Sequence, residues 1–371
     1  MQNANQSEPD SLRRRAIAAL VVVNLLWGIS FPAMKATNMI MERHAGEAAS
    51  GSDAEVPAVA TTTIAFQVTS AGFLMTVRFA VALVLLGLFV PRLFQGLTGE
   101  QWMMGAWTGL AFAAGFMLQI VALNYIPASR SGFLTSLSVV FTPLLMIALE
   151  RRLPRRAVLV GALFALLGVA ILTGLVKLGG PTGFWLAKGA LNQITRGDWL
   201  TVAAALIFAV QILLIDIFGR RMPAGRLTPG MFVATLVVGG TVMTGGLASW
   251  PEVGSPALWC GLLLKPSFLW LVLLMSLLCT VLAFHWMNKY QPHVSPAHAA
   301  LIYTLEPIFA TGWAMVLPSL MSTAIGLEYL SEKPEWKLVL GGLLVVGGNA
   351  LALQPEPRRQ ENSVTDSGVV M

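Results

Sequence analysis

An acid stands inside an apolar stretch at Glu306, directly before Pro307, in SPAHAALIYTLEPIFATGWAM. A charge at the centre of a bilayer costs at least about 2.5–3.5 kcal/mol on insertion scales, so one that persists there needs a role. On a helix, its neighbours at i−3, i+4 and i+7 are Tyr303, Ala310 and Trp313. That face holds a carboxylate, two aromatics and a small residue, and it suits a cavity for cationic or amphipathic solutes. There the acid could also exchange a proton as the cavity changes side. The competing role is structural: a partner for a Lys or Arg on another helix. Pro307 removes one backbone donor and leaves a carbonyl in the preceding turn free for solute or water.

Other polar residues sit in apolar surroundings. Asn24, Gly28, Phe31 and Lys35 follow one another at helical spacing, with Trp27 beside them and Pro32 freeing a backbone carbonyl. Lys35 can line a path or snorkel to the outer interface. Arg78 lies deeper, and either fixes helix contacts or meets substrate. Ser131, Thr135, Ser138 and Thr142 share one face, where small hydroxyl residues serve packing or line a cavity. Gln119 and Gln211 lie in the third and sixth apolar runs, whose counterparts would face each other across the repeat axis, and either line the path or not. His285 could relay protons but also fits an interface. Asp216 has Arg220 at i+4, a spacing for a local pair.

Elements that hold such residues must be apolar, and the composition says so. Of 371 residues 56% are hydrophobic and 11% charged, where a soluble domain carries about 25% charged residues. Mean hydropathy is +0.72. One soluble core cannot hide that much apolar surface. A water-soluble enzyme, a disordered chain and a nucleic-acid-binding domain are excluded as classes, and the net charge of +6 is spread between apolar runs rather than gathered on a face. The chain offers no HExxH, GxSxG or Walker-type motif. Cys260 and Cys279 form no CxxC, and His44, His285, His293 and His298 lack metal-ligand spacing. No catalytic role, cofactor or metal is therefore expected.

A bilayer core about 30 Å thick needs roughly 20 apolar helical residues. Ten runs qualify, at 17–34, 73–90, 102–123, 132–149, 157–175, 198–218, 231–249, 268–288, 295–317 and 336–353. The expected fold is an all-α polytopic membrane protein. The stretch after Arg13, Arg14 and Arg15 outlasts a signal-peptide core and lacks an A-x-A site, so it reads as an uncleaved first span. With the N-terminus inside, the inner segments gather Arg13–Arg15, Arg151, Arg152, Arg155, Arg156, Arg220, Arg221, Arg358 and Arg359, while the outer loops hold fewer cations. This bias places both termini in the cytoplasm. Residues 36–72 and 318–335 become long outer loops, and the Ala, Ser, Thr and acidic content of 40–70 makes that stretch expected to be dispensable.

Five runs plus five divide the chain naturally. SGFLTSLSVVFTPLLMIALERRLP then GALFALLGVAIL rhymes with SPAHAALIYTLEPIFATGWAM then GGLLVVGGNALAL. The expected organisation is a cytoplasmic tail at 1–16, a first five-helix repeat at 17–175 (with outer loop 36–72), a second at 198–353 and a C-terminal tail at 354–371. An odd number of spans per half inserts the two copies in opposite senses, and transporters bind substrate where such repeats meet.

With WGISFPAMK in the first run, RFAVALVLLGL in the second, SGFLTSLSVVFTPLL with ERRLP, SPAHAALIYTLEPIFA and the Gly-rich last run, the chain resembles the drug/metabolite transporter superfamily in its EamA-type ten-span branch. The resemblance implies an inner-membrane carrier that works by alternating access and most often exports small metabolites or drugs. Its partners would be a small-molecule substrate, the lipid bilayer and protons, with no nucleic acid, and a homodimer stays open. A membrane-embedded enzyme on lipid-linked substrates would need acids, His or Ser clustered at one face. A non-transporting scaffold would not need polar faces on several spans.

Overall fold

The computed structural model describes residues 4–50, 63–138, 140–142, 144–145, 156–172, 176–178, 184–186, 194–219, 221–223, 225–253, 255–294, 302–326, 328–333 and 335–352. Twelve α-helices are described: α1 (Ala4–Ser50), α2 (Ile64–Phe89), α3 (Gly99–Ala122), α4 (Ala128–Thr135), α5 (Arg156–Leu172), α6 (Arg196–Gly219), α7 (Leu227–Ser249), α8 (Pro256–Leu262), α9 (Pro266–Leu274), α10 (Ala283–Tyr290), α11 (Glu306–Ile325) and α12 (Trp336–Ala352). A π-helical segment, Met275–Leu282, joins α9 to α10. Among the described residues the only strands are β1 (Val176–Leu178) and β2 (Phe184–Leu186), an antiparallel ribbon with Lys177 opposite Trp185.

Among the described residues, seven helices are long and apolar enough to cross a membrane, and the shorter apolar stretches Leu159–Leu172 and Trp336–Leu351 join them. Every one of the ten apolar runs holds helix. The molecule is an all-α polytopic membrane protein. Local chemistry sets its boundaries: the Thr63 hydroxyl accepts from Phe66 N at the start of α2. Thr98 and Gln101 form a reciprocal capping box at α3. Gly326, at φ 65°, closes α11 in the left-handed conformation that lacks a Cβ penalty.

Several boundaries differ from the apolar runs. The expected outer loop 36–72 is helical at both ends, since α1 extends to Ser50 and α2 begins at Ile64. At about 1.5 Å per residue, α1 is about twice as long as a bilayer core is thick, so its end stands clear of the membrane. Within the stretch 40–70, expected to be dispensable for the transport step, Ile40, Met41, Ala45 and Phe66 are buried and Arg43 Nη1 donates to Gly326 O at 2.6 Å, so its deletion would remove packed residues. A polar composition hid buried residues spaced around one helix face. Residues 51–62 lie outside the described residues. The second expected outer loop, 318–335, is helix as far as Ile325, with Pro318 inside it. The run at 132–149 is helical from Ala128 to Thr135, and much of its second half lies outside the described residues.

Helix pairing has a regular pattern. α2 packs on α7, α4 on α11, and α5 on α12. α3 packs on α7 and α6, as the α9–π–α10 unit packs on α2 and α1. α1 packs on α11, as α6 packs on α4. Exchanging α1, α2, α3, α4 and α5 for α6, α7, the α9–π–α10 unit, α11 and α12 in that order maps these pairings onto themselves. Glycines allow the closest approaches, as membrane helices packing without a hydrophobic drive require. A Cβ on Gly168 of α5 would stand 2.5 Å from Gly341 O of α12. Gly168→Val should therefore cost about 1–3 kcal/mol through overpacking. A lowered melting temperature of the purified variant checks this, and an unchanged one would show that the two helices can slide apart freely.

Candidate functional site

A cavity opens where α1, α2, α3, α4, α6, the π segment with α10, and the start of α11 converge. Its open space, mouth included, is about 920 Å³. Its wall is aromatic. Trp27 lies 5.4 Å from Phe284 and 5.8 Å from Tyr303, ring centre to ring centre. Phe112 stacks on Phe116 at 5.1 Å and meets Phe284 edge-on at 5.2 Å.

Arg78, on α2, is 2% exposed and reaches this cavity. Its Nε donates to Thr280 Oγ1 at 2.8 Å, and Nη1 donates to Ser30 Oγ at 3.0 Å. The guanidinium lies 5.0 Å from the centre of the Phe116 ring. The π segment returns a second bond, from Ser276 Oγ to Arg78 O at 2.9 Å. No carboxylate pairs with Arg78 among the described residues, and Nη2 has no acceptor there.

The remaining polar groups divide into satisfied and open ones. Gln119 Nε2 donates to Thr135 Oγ1 at 3.0 Å, which donates onward to Ser131 O. Tyr303 donates its hydroxyl to Gln291 Oε1 at 2.8 Å. Ser138 lines the wall beside Thr135. Gln211, from α6, and Glu306, at the first position of α11, also line the cavity, and neither side chain has a protein partner among the described residues. Pro307 thus sits in the first turn of α11, where a missing N–H costs nothing. Glu306 opens a helix rather than standing mid-helix.

Three sequence candidates lie elsewhere. Trp313 Nε1 donates to Leu25 O at 3.0 Å in the α1–α11 contact. Asn24 is fully buried and donates to Leu20 O one turn back on its own helix. Lys35 Nζ donates to Ile126 O at 3.2 Å, so it neither snorkels freely nor faces the cavity. His285 is absent from the lining, and Arg220, the presumed partner of Asp216, lies outside the described residues. Sequence reasoning missed Ser30, Cys279, Gln291 and the Phe112–Phe116 pair. The Phe pair at i and i+4 was a readable signal. Cys279 and Gln291 turn inward through the π segment and a helix end, which no periodicity announces, while Ser30 lies one turn after Trp27 on α1. It also missed Asn349 of α12, which donates to Ser136 O at 3.2 Å and holds the chain where α4 ends.

Outside the cavity lining, polar links tie helix ends together. Glu332 accepts from Ala128 N at 2.8 Å, from Ser129 N and from the Ser129 hydroxyl, capping α4 from another part of the chain. Arg130 Nη2 meets Asp198 Oδ2 at 2.6 Å, joining α4 to α6. Burial, with Glu332 nearby, holds the Tyr329 hydroxyl above its ordinary titration range, so it stays neutral. Glu332→Ala should lower stability by about 1–2 kcal/mol as three donors of α4 lose their acceptor. Thermal unfolding checks it, and Glu332→Gln should recover part of the loss.

Fold and cavity together define the class: a polytopic α-helical membrane protein with a central, aromatic-walled polar cavity. Residues 58–174 match the EamA-like transporter family. A protein of Archaeoglobus fulgidus, named an uncharacterized transporter, is 24% identical over 298 residues, covering 80% of this chain and 76% of its own. A solved crystal structure aligns over 88% of this chain and 96% of that one, at 19% identity and a TM-score of 0.45. Over residues 58–174 the chain is therefore similar to EamA-like transporters. Both matches are to proteins described as transporters.

Proposed function

We propose that the chain is a secondary carrier that exports small amphipathic organic solutes across the inner membrane by alternating access, with both termini cytoplasmic. The observation that carries this reading is the cavity itself: helices from both halves line it, and the second half supplies two polar groups without protein partners among the described residues, Gln211 and Glu306, between aromatic walls. A group left unpaired in a low-dielectric site is costly unless a ligand or water completes it. The pairing pattern, which survives exchange of the halves, supports two inverted five-helix repeats at 17–175 and 198–353. With no nucleotide-binding motif in the chain, movement draws on a gradient, and Glu306 is the group suited to carry a proton.

Reconstitution in liposomes with a panel of amino acids, nucleobases and cationic drugs tests the carrier reading, and solute movement dependent on the protein is the expected result. Reporter fusions within 51–62 and after residue 354 test the topology. The first should report outside and the second inside; a cytoplasmic 51–62 segment or an outside C-terminus would overturn the inverted repeat.

A further inference from the structure

Resting on the carrier reading, we infer that Arg78 and the π segment form a recognition subsite for the anionic group of an organic solute, a carboxylate carried on an aromatic or apolar body. The guanidinium is nearly removed from solvent, yet no protein carboxylate answers its charge among the described residues. Structural arginines at such depth are held by an acid or by several carbonyls. This one is held by two hydroxyls, Thr280 Oγ1 and Ser30 Oγ, which orient the guanidinium without neutralising it. The Nη2 donors remain for a ligand, and a planar carboxylate matches such a fork. Phe116 covers the guanidinium at 5.0 Å, and Phe112 stacks on Phe116. A solute whose anion reaches Arg78 therefore lays its apolar part on that aromatic wall.

The π segment explains how the arrangement is made. In a regular helix Thr280 would bond back to residue 276; here its hydroxyl donates to Met275 O, five residues back, at 3.0 Å. That widened turn brings Ser276, Cys279 and Thr280 against Arg78, and π turns inside helices recur at functional sites. Thr280 is thus a positioning residue: it acts on the solute through the aim of Arg78. Glu306 is the acid that lines the same cavity, and it takes the compensating positive charge, which is either a proton or an ammonium group on the solute itself.

The test uses the purified full chain and a matched series: phenylacetate, 3-phenylpropionate and 4-phenylbutyrate, each against its neutral amide, with ligand-induced thermal stabilisation as the readout of affinity. The parent should bind at least one carboxylate about tenfold more tightly than its amide, the scale of one charge-assisted hydrogen-bonded pair. Arg78→Gln should bind acid and amide alike, and Arg78→Lys should keep part of the preference. Thr280→Val should narrow the preference while leaving amide binding unchanged, and Thr280→Ser should restore it, which a purely structural hydroxyl would not do. Melting temperatures without ligand show which variants fold. Should Arg78→Gln fail to fold, the Thr280 pair decides. An acid no better than its amide in the parent, a preference that survives Arg78→Gln, or one undiminished in Thr280→Val, overturns the subsite. Solute movement in liposomes without any acid preference overturns the subsite alone. A clear preference with no movement of any solute overturns the carrier reading alone. A second arm with 3-phenylpropylamine and phenylalanine separates the two sources of positive charge. A gain for phenylalanine over 3-phenylpropionate that Glu306→Gln removes assigns it to the solute, and no gain assigns it to a proton.

Discussion

Glu306→Gln is expected to insert and fold like the parent yet lose transport driven by a pH difference, retaining exchange of solute for solute. The carboxylate lines the cavity and has neither an ion-pair nor a hydrogen-bond partner among the described residues. The groups that share its surroundings are Tyr303, whose hydroxyl is committed to Gln291, and Arg78, which belongs to the opposite half. An ionised acid in such a place needs a positive charge from the cavity, so its charge state follows what the cavity contains and which side it faces. Gln keeps size and hydrogen-bonding capacity but fixes the neutral form. Three assays in vesicles decide the matter: uptake with an imposed pH difference, uptake without one, and counterflow. Parent-like driven transport in Glu306→Gln, together with failure of Glu306→Ala to insert, would make the acid a packing element. Glu306→Asp should keep coupling with a reduced rate, since it retains the charge and withdraws it from the cavity.

How much of this could be read beforehand varied with the kind of residue. Among the described residues, apolar runs identified all seven helices long and apolar enough to span a membrane, because the requirement they report is a bulk property of about twenty residues. Trp27, Arg78, Gln119, Gln211, Thr135, Ser138, Tyr303 and Glu306 were singled out by the same reasoning, as polar or aromatic residues in expensive surroundings, and they share one cavity. The method failed where a group satisfies itself locally or at a distance in sequence. Asn24 bonds back along its own helix. Trp313 finds a carbonyl of α1. Lys35 finds Ile126 O, 91 positions along the chain. Ser30 and Cys279 escaped because nothing in their types is unusual within a membrane helix. Only the Arg78 contact and the π turn give them a place. The continuation of α1 to Ser50 was concealed by polar residues on its outward face, while Ile40, Met41 and Ala45 on the inward face are buried.

Gly28→Ala should be among the most damaging single-methyl changes in the chain. At this position α1 meets α11 backbone to backbone: an added Cβ would lie 2.8 Å from Ala310 N and 2.9 Å from the Phe309 carbonyl carbon. Neither atom can rotate away, unlike the end of a side chain. Pro32, four residues on, cannot donate to the Gly28 carbonyl, so α1 has one fewer bond to resist bending where the wedge would act. α4 enters the same contact, because a Cβ on Gly132 would stand 3.0 Å from Ala310 Cβ. A separation of α1 from α11 therefore also moves α4, and with it Trp27, Thr135 and Glu306 in the cavity wall. Overpacking of this kind costs about 1–3 kcal/mol. Gly312, on α11 itself, supplies the control: a Cβ there meets nothing within 4 Å. Since Ala is favoured over Gly by up to about 1 kcal/mol inside a helix, Gly312→Ala should be neutral or stabilising. Unfolding temperatures of the two variants in one detergent give the comparison, and binding of the carboxylate probe adds a second readout. Gly28→Ala should lose both stability and probe binding. Equal stability of the two variants would mean that α1 and α11 do not touch through Gly28, and the wall that places Trp27 opposite Tyr303 would have to be drawn differently.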